Sequence, residues 1–210
     1  MKKPKQPLLV AIVGGSGSGK TWLADTLKTR LGPSAGRLSL DVFYRDRSHL
    51  SPAQRVRINF DNPAAIEWQK FERVLVDCFQ GHKTEVPRYD FKTHCRLSDV
   101  KTIRPKPIML VDGLWLLRRR RIRKFFGLRI FIECPSALRL QRRLARDQSG
   151  RGRSAESVRK QFRKTVQPMH RRFVEPQARW AHFTLGAVWT DKEVKRLLEI
   201  IKKAQSAMRR

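Results

Sequence analysis

The chain has 210 residues, with 47 Lys or Arg against 18 Asp or Glu and a formal net charge of +29. A hydrophobic share of 40% at this length can bury a sizeable core, which excludes a disordered basic tail. No apolar run approaches the ~18 residues of a membrane span, and the apolar stretch from Leu8 to Val13 runs into glycines rather than a small-residue cleavage site. A cytoplasmic protein without a membrane partner is therefore expected, and Cys78, Cys95 and Cys134 are too few and scattered for a disulfide framework or a zinc site.

In chain order, the first predicted element is a buried strand, Leu8 to Val13. A helix from Thr21 to Leu31 follows, then a second strand from Arg37 to Leu40. Helical spacing returns from Pro63 to Phe79. Residues 81–107 carry several prolines and a polar alternation, which predicts a hairpin inserted over the sheet edge. Ile108 to Val111 and Leu128 to Ile132 read as strands; Ser136 to Gln148 and Ser154 to Val166 as helices; His182 to Leu185 as the last strand. The capping box from Thr190 to Glu193 opens a final helix with Val194, Leu197, Leu198 and Ile201 on one stripe. Alternating strands and helices predict an α/β fold: three layers, α/β/α, around a mostly parallel five-stranded sheet. No repeat and no linker divides the chain, so one domain over 1–210 is expected.

The segment Gly14-Gly-Ser-Gly-Ser-Gly-Lys-Thr21 satisfies G-x-x-x-x-G-K-[ST] between a predicted strand and a predicted helix. Gly14, Gly15, Gly17 and Gly19 let backbone N–H groups curl around phosphate oxygens, with Ser16 and Ser18 between them. Lys20 then places a point charge on the β and γ phosphates, and the Thr21 hydroxyl can ligate Mg²⁺. Both ATP and Mg²⁺ are thereby implied as cofactors. A P-loop also needs a carboxylate on a neighbouring strand, and Asp112 stands at the carboxyl end of Ile108–Val111, although Asp before Gly is equally an ordinary turn signal. Asp41 ends the second strand at the same edge, where a carboxylate can accept the proton of an attacking hydroxyl.

Five motifs together, the P-loop, Ser39-Leu-Asp-Val-Phe-Tyr44, Asn59-Phe-Asp-Asn-Pro63, Tyr89-Asp-Phe-Lys-Thr-His94 with Arg96, and Arg151-Gly-Arg153, occur in the order and spacing of uridine-cytidine kinases. The chain thus resembles the phosphoribulokinase/uridine kinase group from about Leu8 to Leu185. The resemblance implies transfer of the ATP γ-phosphate to the 5′-hydroxyl of uridine or cytidine, with Asp41 as general base. It makes Asp61 the acceptor for both ribose hydroxyls, and Tyr44, Tyr89 and His94 the walls of the base pocket. It puts Arg139 and Arg142 near acceptor and phosphates, Arg146 with the nucleotide, and Arg151 and Arg153 on a lid loop over residues 147–153. It also implies a homo-oligomer, since similar proteins form tetramers. The pattern departs from the group at Asp112, where Glu is usual, at Asn62, where His is usual, and at Ser157, where Gln is usual.

Two alternatives remain open on sequence. Related P-loop kinases act on other small hydroxyl acceptors, against which the Tyr89–His94 string argues. Between Lys101 and Arg172 stand 22 Lys or Arg and four acids, a net +18 over 72 residues, and the run Arg118-Arg-Arg-Arg-Ile-Arg-Lys124 exceeds what one ATP requires. That surplus suits a nucleic-acid or other polyanion partner.

Overall fold

The computed structural model describes residues 6–208, apart from the side chain of Arg151. β1 (Leu8–Gly14) is buried along its whole length, because an unbroken apolar run feeds both faces of a central strand. Leu9, Ala11 and Val13 pack into one core, and Leu8, Val10 and Ile12 into another on the opposite face. Each fully buried aliphatic contributes about 1.5–3 kcal/mol, so a charge at Ile12 would break the sheet at its centre.

α1 (Lys20–Leu31) buries Leu23, Ala24, Leu27 and Leu31, one stripe at three- and four-residue spacing, and stops at Gly32, whose φ of 59° a side chain would strain. β2 (Ala35–Ser39) leads into a 3₁₀ turn, Leu40–Phe43, in which the Ser39 hydroxyl accepts from the Asp41 N–H. α2 (Pro52–Val56) is one short capped turn. α3 spans Trp68–Gln80 rather than beginning at Pro63. The helix expected from Pro63 is interrupted because Ile66 bridges to Tyr44 and the Glu67 N–H donates to the Phe43 carbonyl, which holds two residues extended. Pro63–Ala65 form instead a 3₁₀ turn capped by Asn62, whose Oδ1 accepts from the Ala64 N–H.

β3 (Thr84–Asp90) and β4 (Cys95–Ile103) form the antiparallel hairpin, with a register shift between Pro87 and Tyr89 and His94 at φ 58° in its turn. β5 (Ile108–Gly113) is buried throughout. Next come α4 (Arg120–Arg123), β6 (Phe126–Ile132) and α5 (Ser136–Arg151). From Ala155 to Trp180 a helical path runs through α6 (Ala155–Gln161), a π segment, α7 (Gln167–Met169), a second π segment (His170–Val174) and a 3₁₀ turn. Pro168 lacks an N–H, and such gaps in the i→i−4 ladder accompany the wider turns on either side. β7 (Phe183–Leu185) and α8 (Asp191–Ala207) close the described chain.

The five-stranded sheet has the order β2-β5-β1-β6-β7, every pairing parallel, as expected for helices on both faces. Its register brings the carboxyl ends of β2, β5 and β1 together: Ser39 lies opposite Asp112, and Asp112 opposite Ile12. Ligands of such sheets sit at that edge.

Candidate active site

Gly14–Thr21 forms the turn between β1 and α1. Gly17 (φ 82°) and Gly19 (φ 94°) stand where an L side chain is strained, and a Cβ on Gly17 would lie 2.5 Å from the Arg139 carbonyl oxygen. The loop is therefore seated directly on α5. On its other flank a Cβ at Gly15 would lie 2.7 Å from His170 Nδ1. His170 is buried and its imidazole is held down at about 4, first by that burial and then by Arg139, Lys20 and Arg171, so it is neutral at physiological pH. Lys20 is buried as well, and its ammonium donates to the Gly15 carbonyl at 3.5 Å. Burial holds that ammonium below its ordinary value, while Asp41 and Asp112 favour the charged form.

Asp112 is fully buried at the end of β5. Its Oδ2 accepts from Thr21 Oγ1 and from Ser39 Oγ, both at 3.3 Å, and its Oδ1 accepts from Arg37 Nε at 2.9 Å. Arg37 Nη1 donates in turn to Asp25 Oδ1 at 2.7 Å. Thr21 and Asp112, expected as partners at a metal, are thus in contact through oxygens of the kind magnesium takes. Sequence reasoning missed Arg37. The signal was a lone cation in a strand, on the same face as the carboxyl-edge residues.

A cleft of about 1070 Å³ runs from the loop across the β2 edge to the hairpin, with Lys20, Thr21, Ser39, Asp41, Tyr89 and Arg146 among its lining. The hairpin, expected over the sheet edge, contributes Val86, Tyr89, Leu97 and Ile103 to the wall of this cleft. Asp61 follows Asn59, whose Oδ1 accepts from the Asp61 N–H. Burial pushes the Asp61 carboxyl up, against the nearby Arg143, and Asp41 raises it further. Tyr44 is buried with its hydroxyl donating to the Phe60 carbonyl, and its ring lies 5.4 Å from those of Phe60 and Tyr89. His94 stacks on Phe60 at 4.4 Å. These rings form one cluster beside the cleft, with the Tyr89 hydroxyl buried and lacking a hydrogen-bond partner.

The arginines of α5 part company. Arg139 lies beneath the loop rather than on the cleft wall: it is 1% exposed, its Nε donates to the Cys134 carbonyl and its Nη2 to Gln167. Arg142 grips the other end of the loop, donating to the Ser18 and Ala187 carbonyls. Arg143 donates to Ser16 Oγ at 2.5 Å and to Gln161 at 3.0 Å, and pairs with the buried Asp147. Arg146 Nε donates to Asp147 at 2.8 Å.

The lid expected as a loop over 147–153 is helical as far as Arg151, because Gly150 continues α5 and the chain turns only at Gly152 (φ 62°), where the Gly152 and Arg153 N–H groups both donate to the Asp147 carbonyl. Arg153 donates to Gln161 and to Ser157 Oγ, so Gln161 links it through Arg143 to Ser16. The side chain of Arg151 lies outside the described ones. A second cavity of about 390 Å³, bounded by Gly19, Trp22, Arg142, Val188 and Trp189, adjoins the loop, and Trp22 stacks on Trp189 at 5.5 Å. Sequence reasoning missed this pair as well.

The fold and cradle define a P-loop α/β protein built to hold phosphate at the N-terminus of α1. Its residues 9–193 match the Phosphoribulokinase / Uridine kinase family, and the chain belongs to that family. It is similar to proteins named uridine kinase from Staphylococcus haemolyticus (37% identity over 82% of this chain and 84% of the relative) and Chloroflexus aggregans (38% over 83% and 84%). The fold is shared with a putative fructose transport system kinase from Silicibacter (TM-score 0.70, 18% identity, 88% and 92% covered) and with phosphoribulokinase from Rhodobacter spheroides (TM-score 0.64, 17% identity, 87% and 70% covered). Among the described residues no helix is long and apolar enough to cross a membrane.

Proposed function

We propose that the chain is a cytoplasmic, ATP-dependent nucleoside kinase that phosphorylates the 5′-hydroxyl of uridine or cytidine. The observation that carries this reading is the 36–38% identity with proteins named uridine kinase across more than four-fifths of this chain. The geometry supports it independently, because Asp41 faces the same cleft as Lys20 and Thr21.

In this reading the γ-phosphate rests on Lys20 and the N–H groups of the glycine turn, and the purine enters the cavity beside Trp189, where Arg142 closes the far wall. Asp61 accepts from the ribose hydroxyls, and the aromatic cluster around Tyr89 bounds the pyrimidine. As the 5′-oxygen bonds to phosphorus and the bridging oxygen leaves with ADP, the hydroxyl proton passes to the Asp41 carboxylate. Arg146, Arg151 and Arg153 neutralise the equatorial oxygens when the end of α5 closes. Thr21 and Asp112, whose side-chain oxygens meet at 3.3 Å, would hold magnesium, which would supply charge neutralisation at the phosphates. Positioning and electrostatics supply most of the rate, since no covalent intermediate is needed.

A panel of ribonucleosides, 2′-deoxynucleosides and sugar phosphates, incubated with ATP and read as ADP release, tests the proposal. Uridine or cytidine should be the best acceptor and the deoxynucleosides at least tenfold poorer, because a deoxyribose leaves one oxygen of the half-buried Asp61 unpaired. Turnover of sugar phosphates alone would overturn the pyrimidine assignment.

A further inference from the structure

The run Arg118–Lys124 plays no part in the site above, and none of its arginines lines either cavity. It crosses between β5 and β6 with seven cations and no acid from 114 to 132. The fold sets it against the turn at 170–180, which brings further arginines and a single acid, Glu175. Here the guanidiniums lie on aromatic rings. Arg118 and Arg172 lie over Phe173 at 4.9 and 5.0 Å, Arg123 and Arg179 over Trp180 at 4.2 and 4.3 Å, and Arg119 over Trp68 at 4.5 Å.

Stacking on a ring fixes a guanidinium plane at little entropic cost without consuming its N–H groups, of which Arg123 Nη1 donates to the Leu117 carbonyl. The charges are close enough to act on one another. After burial, Arg123 is held below its ordinary value by Arg129, Arg120 and Arg179, so the cluster repels itself rather than being neutralised. Among the described residues Arg121 is the one member of the run with a salt bridge, to Glu72. Oriented, mutually repelling planar cations are complementary to a chain of phosphates.

We propose that this aromatic-backed arginine surface binds single-stranded RNA through its phosphodiester backbone, independently of the kinase cleft. Unpaired bases can stack on the guanidinium planes, which a duplex with hidden bases cannot do, and a flexible strand can follow cations whose positions are fixed. An acyl surface fits less well. The exposed large apolar side chains among the described residues are Trp22, Val56, Leu97, Val100, Val188 and Met208, and none belongs to this surface, which leaves no wedge for lipid.

The test uses the full chain with a fluorescent A20 RNA, read by anisotropy between 50 and 300 mM NaCl with 1 mM ATP present throughout. The expected result is binding whose affinity falls steeply with salt, at a log–log slope of roughly −3 or beyond for five or so contacts. Arg118→Gln/Arg123→Gln/Arg179→Gln should lose at least tenfold in affinity with uridine phosphorylation unchanged. Lys192→Gln/Lys202→Gln/Lys203→Gln, which removes equal charge from α8, should stay within about threefold. If the stacked variant melts early, Arg120→Gln/Lys124→Gln takes its place, with a threefold loss and a shallower slope expected.

Absence of binding at 50 mM NaCl, or equal losses in the two triple variants, would overturn the proposal. So would a dA20 strand or an A-form duplex bound tenfold more tightly. Patch-dependent binding to phosphatidylserine vesicles with RNA retention unaffected would assign the surface to membranes instead.

Discussion

At the scale of single residues, the site divides into groups that meet the reacting atoms and groups that hold those in place. Asp41 belongs to the first set. Asp41→Asn removes the proton acceptor and keeps the volume, so kcat should fall by roughly 10²–10⁴ while calorimetry finds ATP affinity within twofold of wild type. A variant retaining more than a tenth of the rate would show that the proton goes elsewhere. Arg37 belongs to the second set. Its Nε occupies one oxygen of the buried Asp112, so a resident cation already neutralises the carboxylate that faces Thr21. Arg37→Met removes that neighbouring positive charge, worth about 1–2 kcal/mol at this range, and should tighten Mn²⁺ binding to the ADP complex by roughly tenfold in an EPR titration. The same change leaves a buried carboxylate short of a donor, so the apo protein should lose about 1–3 kcal/mol of stability. Weaker Mn²⁺ binding would mean that Arg37 orients Asp112 for the metal rather than competing with it.

Elements decide how much of this could be read in advance. Strands β1, β5 and β6 were legible because each is a largely apolar run, and the P-loop because its glycines, lysine and threonine are contiguous. The break before α3 was not, since it arises from Tyr44 bridging Ile66 across more than twenty residues of chain. The length of α5 was hidden for a related reason. Gly150 and Gly152 look alike in sequence, yet only Gly152 is needed in the left-handed region, with the Asp147 carbonyl accepting behind it.

The helical path 155–180 carries a third such feature, His170 pressed against Gly15. In the folded chain its pKa is about 4 against an ordinary 6.5, so between those values the unfolded chain binds a proton that the folded one refuses. Stability is therefore nearly unaffected above pH 6.5 and lost as pH falls towards 4, by about 2.5 kcal/mol at pH 4.5 for this one group. His170→Gln should flatten that part of the profile in urea melts at pH 7 and pH 4.5. An identical pH dependence in the variant would place the acid sensitivity in the carboxylates.

For the whole molecule, the excess of 47 basic over 18 acidic residues sets two salt effects against each other. Screening weakens surface pairs such as Arg30–Asp191, Arg88–Asp99 and Lys195–Asp191, and that destabilises the fold. Exposed pairs contribute about 0–1 kcal/mol apiece, and only part of that is lost by 0.3 M salt. Screening also relieves repulsion among 29 unbalanced charges, many of them within one Debye length, ~10 Å at 0.1 M, of another of the same sign. Repulsion should win. The melting temperature should rise by roughly 5 °C between 10 and 300 mM NaCl, equivalent to about 2 kcal/mol at this size. Sodium triphosphate should reach the same shift at far lower ionic strength, because it can seat on the glycine cradle as well as screen. Lys192→Gln/Lys202→Gln/Lys203→Gln should shrink the NaCl effect and leave the triphosphate effect in place. A melting temperature that falls with NaCl would mean that the few ion pairs, and not the surplus charge, dominate the electrostatics of this fold.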